Sequence, residues 1–102
     1  MNDTKDDTWY VAIMEFYGKR HYSFVGAHGE SYRDFSETAR LNGIEIIAEQ
    51  FEITDVVINK LTGFDEHGRS TGKNLLKELV DKLNAGEELN ARKVLERLCK
   101  EV

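Results

Sequence analysis

Proline is absent from the chain, so no residue carries a locked φ or an obligatory helix break. Glycine and asparagine must do the punctuating. Cysteine is almost absent. Cys99 stands alone, which excludes an internal disulfide and makes a cytoplasmic setting the expectation. No apolar run approaches the roughly 18 residues that a membrane span needs, so no membrane association is expected. The first residues, MNDTKDD, are acidic and lack the apolar stretch of a signal peptide. The histidines, His21, His28 and His67, have no second histidine or cysteine at metal-ligand spacing, so no metal and no cofactor is expected.

What is present is an ordinary globular balance: 40% of the 102 residues are apolar and 32% charged, enough for one modest core. Residues 1–7 read as a disordered acidic tail and residues 8–102 as a single domain. The net charge is −5, and it is unevenly spread. Residues 1–7 carry −2, residues 8–43 are neutral, residues 44–62 carry −3 and residues 63–102 are neutral. Outside the tail, the whole excess lies in one segment containing Glu45, Glu49, Glu52 and Asp55, against Lys60 alone. A phosphate backbone would be repelled there.

TWYVAIMEFY (Thr8–Tyr17) and RHYSFV (Arg20–Val25) are rich in aromatic and β-branched residues and are separated by Gly18-Lys19. Two such runs predict a β-hairpin with a type II′ turn at those two residues. One face then carries Trp9, Val11, Ile13, Tyr22 and Phe24. The other carries Tyr10, Ala12, Met14, Phe16, His21 and Val25. Both are apolar, which predicts a central first strand with helices on the second face as well. GAHGE (Gly26–Glu30) reads as a loop, and His28 and His67, both bordered by glycine, as solvated. Ser31 reads as the cap of a helix with Tyr32, Phe35 and Ala39 near one face, stopped by Asn42-Gly43. Leu75, Leu76, Leu79, Val80 and Leu83 follow helical spacing after a cap at Ser70 or Thr71. Asn90 caps a second helix with Ala91, Val94, Leu95, Leu98 and Val102 on one stripe. These two helices form a C-terminal αα-hairpin. Cys99 lies beside that stripe and reads as a buried bystander.

The segment IAEQFEITDVVINKL (Ile47–Leu61) resembles a helix-turn-helix. Ile47, Phe51, Ile53, Ile58 and Leu61 match its apolar positions, Ala48 its small crossing position, and Thr54 the cap of its second helix. The resemblance implies a DNA reader, with Asn59 on adenine and Lys60 on phosphate, dimeric through the C-terminal helices. Against it stand Glu52 at the turn position, which would need positive φ, and the acidic charge. The rival is a third strand over about Glu45–Ile53 followed by a helix from Asp55. Ile44, Ile47, Ala48 and Phe51 also make a helical i, i+3, i+4, i+7 face, so periodicity alone does not separate the two. The strand is preferred, because a helix would start one residue after a helix stop and because a hairpin needs a third strand for independent stability.

HGRSTGKN (His67–Asn74) is one residue short of a phosphate-binding loop. No strand leads into it, and Asn74 replaces the magnesium-holding Ser or Thr. What survives is an anion site at a helix start made by Arg69, Ser70, Thr71 and Lys73. On the hairpin, the aromatics Tyr10, Phe16, Tyr17 and Tyr22 stand near Lys19, Arg20 and His21, a mixture that suits a protein interface or exposed bases.

Together these observations predict an α+β fold: an antiparallel hairpin, a third strand and three or four helices ending in an αα-hairpin. No catalytic constellation can be argued from spacing, so the expectation is not an enzyme. It is a small binding or regulatory protein that occupies a macromolecular partner, most readily another protein. An acidic inhibitor of a nucleic-acid-binding protein, of the kind phages and mobile elements carry, suits the charge. Its expected contacts are Glu45, Glu49, Glu52, Lys19, Arg20 and Tyr17. The alternatives are the dimeric DNA-binding regulator using residues 47–61 and a phosphate-ligand domain using the 68–74 loop.

Overall fold

The computed structural model describes residues 8–26, 32–88 and 90–102. The acidic tail, His28, most of the GAHGE loop and the Ser31 cap lie outside them. The elements are β1 (Thr8–Phe16), β2 (Lys19–Gly26), α1 (Tyr32–Leu41), β3 (Glu45–Thr54), α2 (Asp55–Thr62), α3 (Leu75–Asn84) and α4 (Ala91–Glu101). The three strands form one antiparallel sheet in the order β2-β1-β3, so β1 is central. The α+β class is therefore the observed one.

The hairpin corrects one expectation. The turn is Tyr17-Gly18, with φ of 53° and 80°, and not Gly18-Lys19. Both central residues are left-handed, the type I′ arrangement whose twist suits the flanking strands. Phe16 then faces Lys19, Glu15 faces Arg20 and Ile13 faces Tyr22. This register pairs all eight residues of β2 and sets the Arg20 guanidinium 3.4 Å from Glu15. It differs from the expected register by two residues, and an even slip keeps every side chain on its face. Val11 and Ile13 accordingly sit in the core, with Trp9, Tyr22 and Phe24 packed against it.

The residues of 45–54 form a strand, so the first helix of a helix-turn-helix is not formed. The strand is interrupted twice. Between the pairs Trp9↔Ile53 and Val11↔Gln50, one residue of β1 opposes two of β3. Ile47 is an extra residue between the pairs Ile13↔Ala48 and Met14↔Ile46. These are β-bulges, and Glu52, within the first, has φ 58°. The positive φ that counted against the helical reading is present, but inside a strand. The bulges also explain the helix-like period. By register, positions 45, 48, 50 and 53 share the inner face, and Ile47 packs inward beside them. The mean spacing thus lies between that of a strand and that of a helix.

Three helices cover the inner face. α2 starts at Thr54, whose Oγ1 accepts from Val57 N. α3 starts three to four residues later than expected from a cap at Thr71 or Ser70. Its cap is Asn74, whose Oδ1 accepts from Lys77 N at 2.9 Å while its Nδ2 donates to Tyr22 Oη at 3.3 Å. Asn74 prevails because its single side chain serves both a free helix amide and a strand tyrosine. Asn90 caps α4 as expected. Val11, Ile13, Leu61, Leu76 and Leu95 are the largest fully buried side chains. Each contributes about 1.5–3 kcal/mol of hydrophobic stabilisation.

Without proline, helices stop on glycine. The Ile44 amide donates to Ala39 O at 2.8 Å and the Gly43 amide to Arg40 O at 3.1 Å, with Gly43 at φ 74°. This is the six-residue Schellman closure. The same closure ends α3, where Gly86 donates to Leu83 O and Glu87 to Lys82 O. On the outer face α1 lies against β3 and the Tyr10 end of β1. Ala39 is buried there, and the Tyr10 ring contacts Phe35 at 6.5 Å and Phe51 at 5.2 Å.

Candidate partner-binding surfaces

The acidic segment becomes an edge. β3 is an outer strand of the sheet and carries three carboxylates, Glu45, Glu49 and Glu52, and no cation, with Asp55 following as the first residue of α2. Glu45, Glu49 and Glu52 would share one face of a helix; in the bulged strand they do not. Glu45 faces Glu15 on the inner side, beyond the helices, and is exposed. Glu49 faces Ala12 on the outer side, and Glu52 is exposed at the bulge. The negative charge therefore surrounds the strand edge rather than forming a flat patch. Charged residues and bulges also keep an edge from pairing with other strands. Asp55 closes the segment, accepting the Trp9 indole N–H at 2.6 Å and so tying α2 to β1.

The hairpin turn is the second surface. Tyr17 is 94% exposed, its ring edge-on to Phe16 at 4.3 Å. Lys19 is exposed beside it, and Arg20 leans on Glu15. The Arg20 backbone is held from the other side. Its N–H donates to Asn84 Oδ1 at 2.8 Å and its carbonyl accepts from Asn84 Nδ2 at 3.3 Å. Asn84, the last residue of α3, thus substitutes for a neighbouring strand at the β2 edge. Nothing in the sequence pointed to this residue, because the two partners are 64 positions apart. The expected aromatic cluster divides by register. Tyr10 is buried on the outer face and Tyr22 packs on the inner one, beside Phe24 at 5.8 Å. His21 is exposed on the outer face.

Residues 63–74 fold back on themselves. Phe64 and Ser70 bridge, the Asp65 carboxylate accepts the amides of His67 and Arg69, and the Thr71 amide donates to Gly63 O at 2.8 Å. Arg69, Ser70 and Thr71 therefore belong to this loop, and of the four expected anion ligands Lys73 alone adjoins the start of α3. An open cleft of about 390 Å³ separates the loop from α2, with Val56, Lys60, Phe64, His67 and Thr71 among its walls. It brings Lys60 together with Thr71, and Asn59 lines a smaller adjoining pocket with Lys60 and Asp65.

Among the described residues, no group of three or more His, Cys, Asp or Glu is arranged to hold a metal ion, and no helix is long and apolar enough to cross a membrane. Among the described residues, Lys77 and Cys99 are shifted from their ordinary values. The Asp81 carboxylate, hydrogen-bonded at 2.9 Å, raises Lys77. Burial beside the core pushes the Cys99 thiol up to about 11, which keeps it in the unreactive protonated form at neutral pH. These features define a small α+β domain with a charged edge strand and an aromatic turn. Comparison with protein-family models, with curated proteins and with solved structures finds no match to the chain.

Proposed function

We propose that this chain is a non-enzymatic regulatory protein that acts by covering a basic, nucleic-acid-binding surface of a partner protein. The observation that carries this reading is the acidic edge: three carboxylates, Glu45, Glu49 and Glu52, on an outer strand of the sheet, with no cation among them. Such a strip is complementary in sign to a phosphate-binding surface and accelerates encounter with it. Tyr17 supports the reading as an anchor. A fully presented tyrosine on a turn is a low-entropy contact residue, and its left-handed backbone is a strain that stability alone does not select.

The test is affinity capture with the wild-type chain and with Glu45, Glu49 and Glu52 all changed to Lys. Trp9 fluorescence and circular dichroism verify the fold of both. The reading expects a basic protein retained by the wild type at moderate salt and lost from the reversed variant. Equal retention by the two chains would overturn it.

A further inference from the structure

The outer face of the sheet is covered unevenly: Tyr10, Ala12 and Val25, away from the turn, are buried, while among the described residues the corner beside the turn is more open. Three strands about 4.8 Å apart present a face wider than a single helix of about 10 Å can hide. α1 occupies the β3 side. On the β2 side, toward the turn, Lys19 and His21 are exposed, Met14 and Phe16 are partly exposed, and Tyr17 stands in solvent. Cross-strand pairing puts Lys19 beside Phe16 and His21 beside Met14 on this same face.

α1 carries the matching features. Its last residue, Leu41, is 72% exposed, and Glu37, one turn earlier, is exposed too. Topology puts Leu41 at the turn end of the molecule, because α1 runs into β3 at Glu45, and Glu45 pairs with Glu15 next to the hairpin turn. The four residues from Glu37 to Leu41 rise about 6 Å along a helix, close to the roughly 6.8 Å between His21 and Lys19 along a strand.

We propose that this open corner beside the turn is occupied by the C-terminal part of α1 of a second copy, about a two-fold axis parallel to the strands. That axis keeps the two turn ends together while exchanging left and right. The β2 side of each copy then receives the α1 side of the other. Leu41 of one copy meets Phe16 and Tyr17 of the other, and Glu37 comes opposite His21 and Lys19. Both contacts occur twice, as an isologous interface requires. The two α1 helices lie side by side and fill one layer between two sheets. This inference uses none of Glu45, Glu49 or Glu52, so it stands or falls separately from the acidic-edge reading.

Sedimentation velocity across the micromolar range tests it with the whole chain. The wild type passes from one chain mass to two as concentration rises. Leu41→Glu weakens association by about tenfold or more. Glu37→Lys and His21→Glu each weaken it at low salt, and the two combined restore it, because each copy then presents the swapped pair. Circular dichroism confirms that every variant is folded, and Glu37 and His21, both exposed, provide the test even if Leu41→Glu disturbs α1. A wild type that stays monomeric overturns the proposal. So does a dimer indifferent to Leu41→Glu, a combined variant no tighter than its parents, or an assembly that grows beyond two copies.

Discussion

Replacing Tyr17 with asparagine will stabilise the chain. Tyr17 occupies the first central position of a type I′ turn at φ 53°, followed by Gly18 at φ 80°. An L-residue with a bulky side chain loses about 1–2 kcal/mol in that conformation, whereas asparagine tolerates it. The ring recovers little of that loss, because it is 94% exposed and its one aromatic contact is the edge-on approach to Phe16 at 4.3 Å. Such a contact is worth about 0.5 kcal/mol at an exposed site. The balance favours Tyr17→Asn by about 0.5–1 kcal/mol, which for a domain of this size raises the melting temperature by about 2–6 °C. Urea unfolding followed by circular dichroism and by the single tryptophan, Trp9, reads it directly at a dilution where self-association is negligible. Tyr17→Gly gains less, since glycine adds about 0.5–1 kcal/mol of chain entropy to be lost on folding. A lower midpoint for Tyr17→Asn at unchanged m-value would refute the reasoning and mean that the ring contact outweighs the strain. The same variant should bind partner less well, the trade expected where a strained residue serves recognition.

Three further outcomes are expected. Gly63→Ala destabilises by about 2–3 kcal/mol in urea, because the residue has φ 99° and its new Cβ would stand 3.3 Å from the Lys73 carbonyl. Asn84→Ala costs about 1–2 kcal/mol by removing both amide contacts to the Arg20 backbone, and Asn84→Asp, which retains the acceptor, costs less. Cys99 gives a pH signature: its folded value of about 11 lies above the ordinary 9.0, so the folded chain holds the thiol proton more tightly than the unfolded one. Stability from this group is therefore constant below the unfolded value and declines as pH rises from about 9 toward about 11. The difference between the wild-type and Cys99→Ala stability curves isolates that decline, and thiolate absorbance of the folded chain gives the midpoint.

Helices with a regular apolar stripe were legible from the sequence because burial there follows one period. The α4 stripe of Ala91, Val94, Leu95, Leu98 and Val102 is the stripe that packs on the core. The central position of β1 was legible for a related reason: both of its faces are apolar, and only a strand covered on both sides tolerates that. Tyr17 and Glu52 mark where such reading stops. Each takes a left-handed conformation that glycine or asparagine would announce, and neither residue type gives that signal. Glu52 and the Ile47 bulge together shift the phase of β3, and the altered period imitates a helix through Ile44, Ile47, Ala48 and Phe51. The surfaces were legible in charge but not in shape. Glu45, Glu49 and Glu52 were legible as part of an acidic segment, and the strand distributes them around an edge. Contacts between distant residues, Asn84 with Arg20 and Asn74 with Tyr22, leave no local trace at all.

The most direct test of the functional account is displacement of nucleic acid from the captured partner. A fluorescently labelled oligonucleotide is bound to that partner, and its anisotropy is followed as the chain is added. If the acidic edge covers the nucleic-acid site, anisotropy falls to the free value with one chain per binding site, more readily at low salt, and the variant with Glu45, Glu49 and Glu52 changed to Lys releases nothing. Anisotropy that stays constant or rises, reporting a ternary complex, would contradict the account.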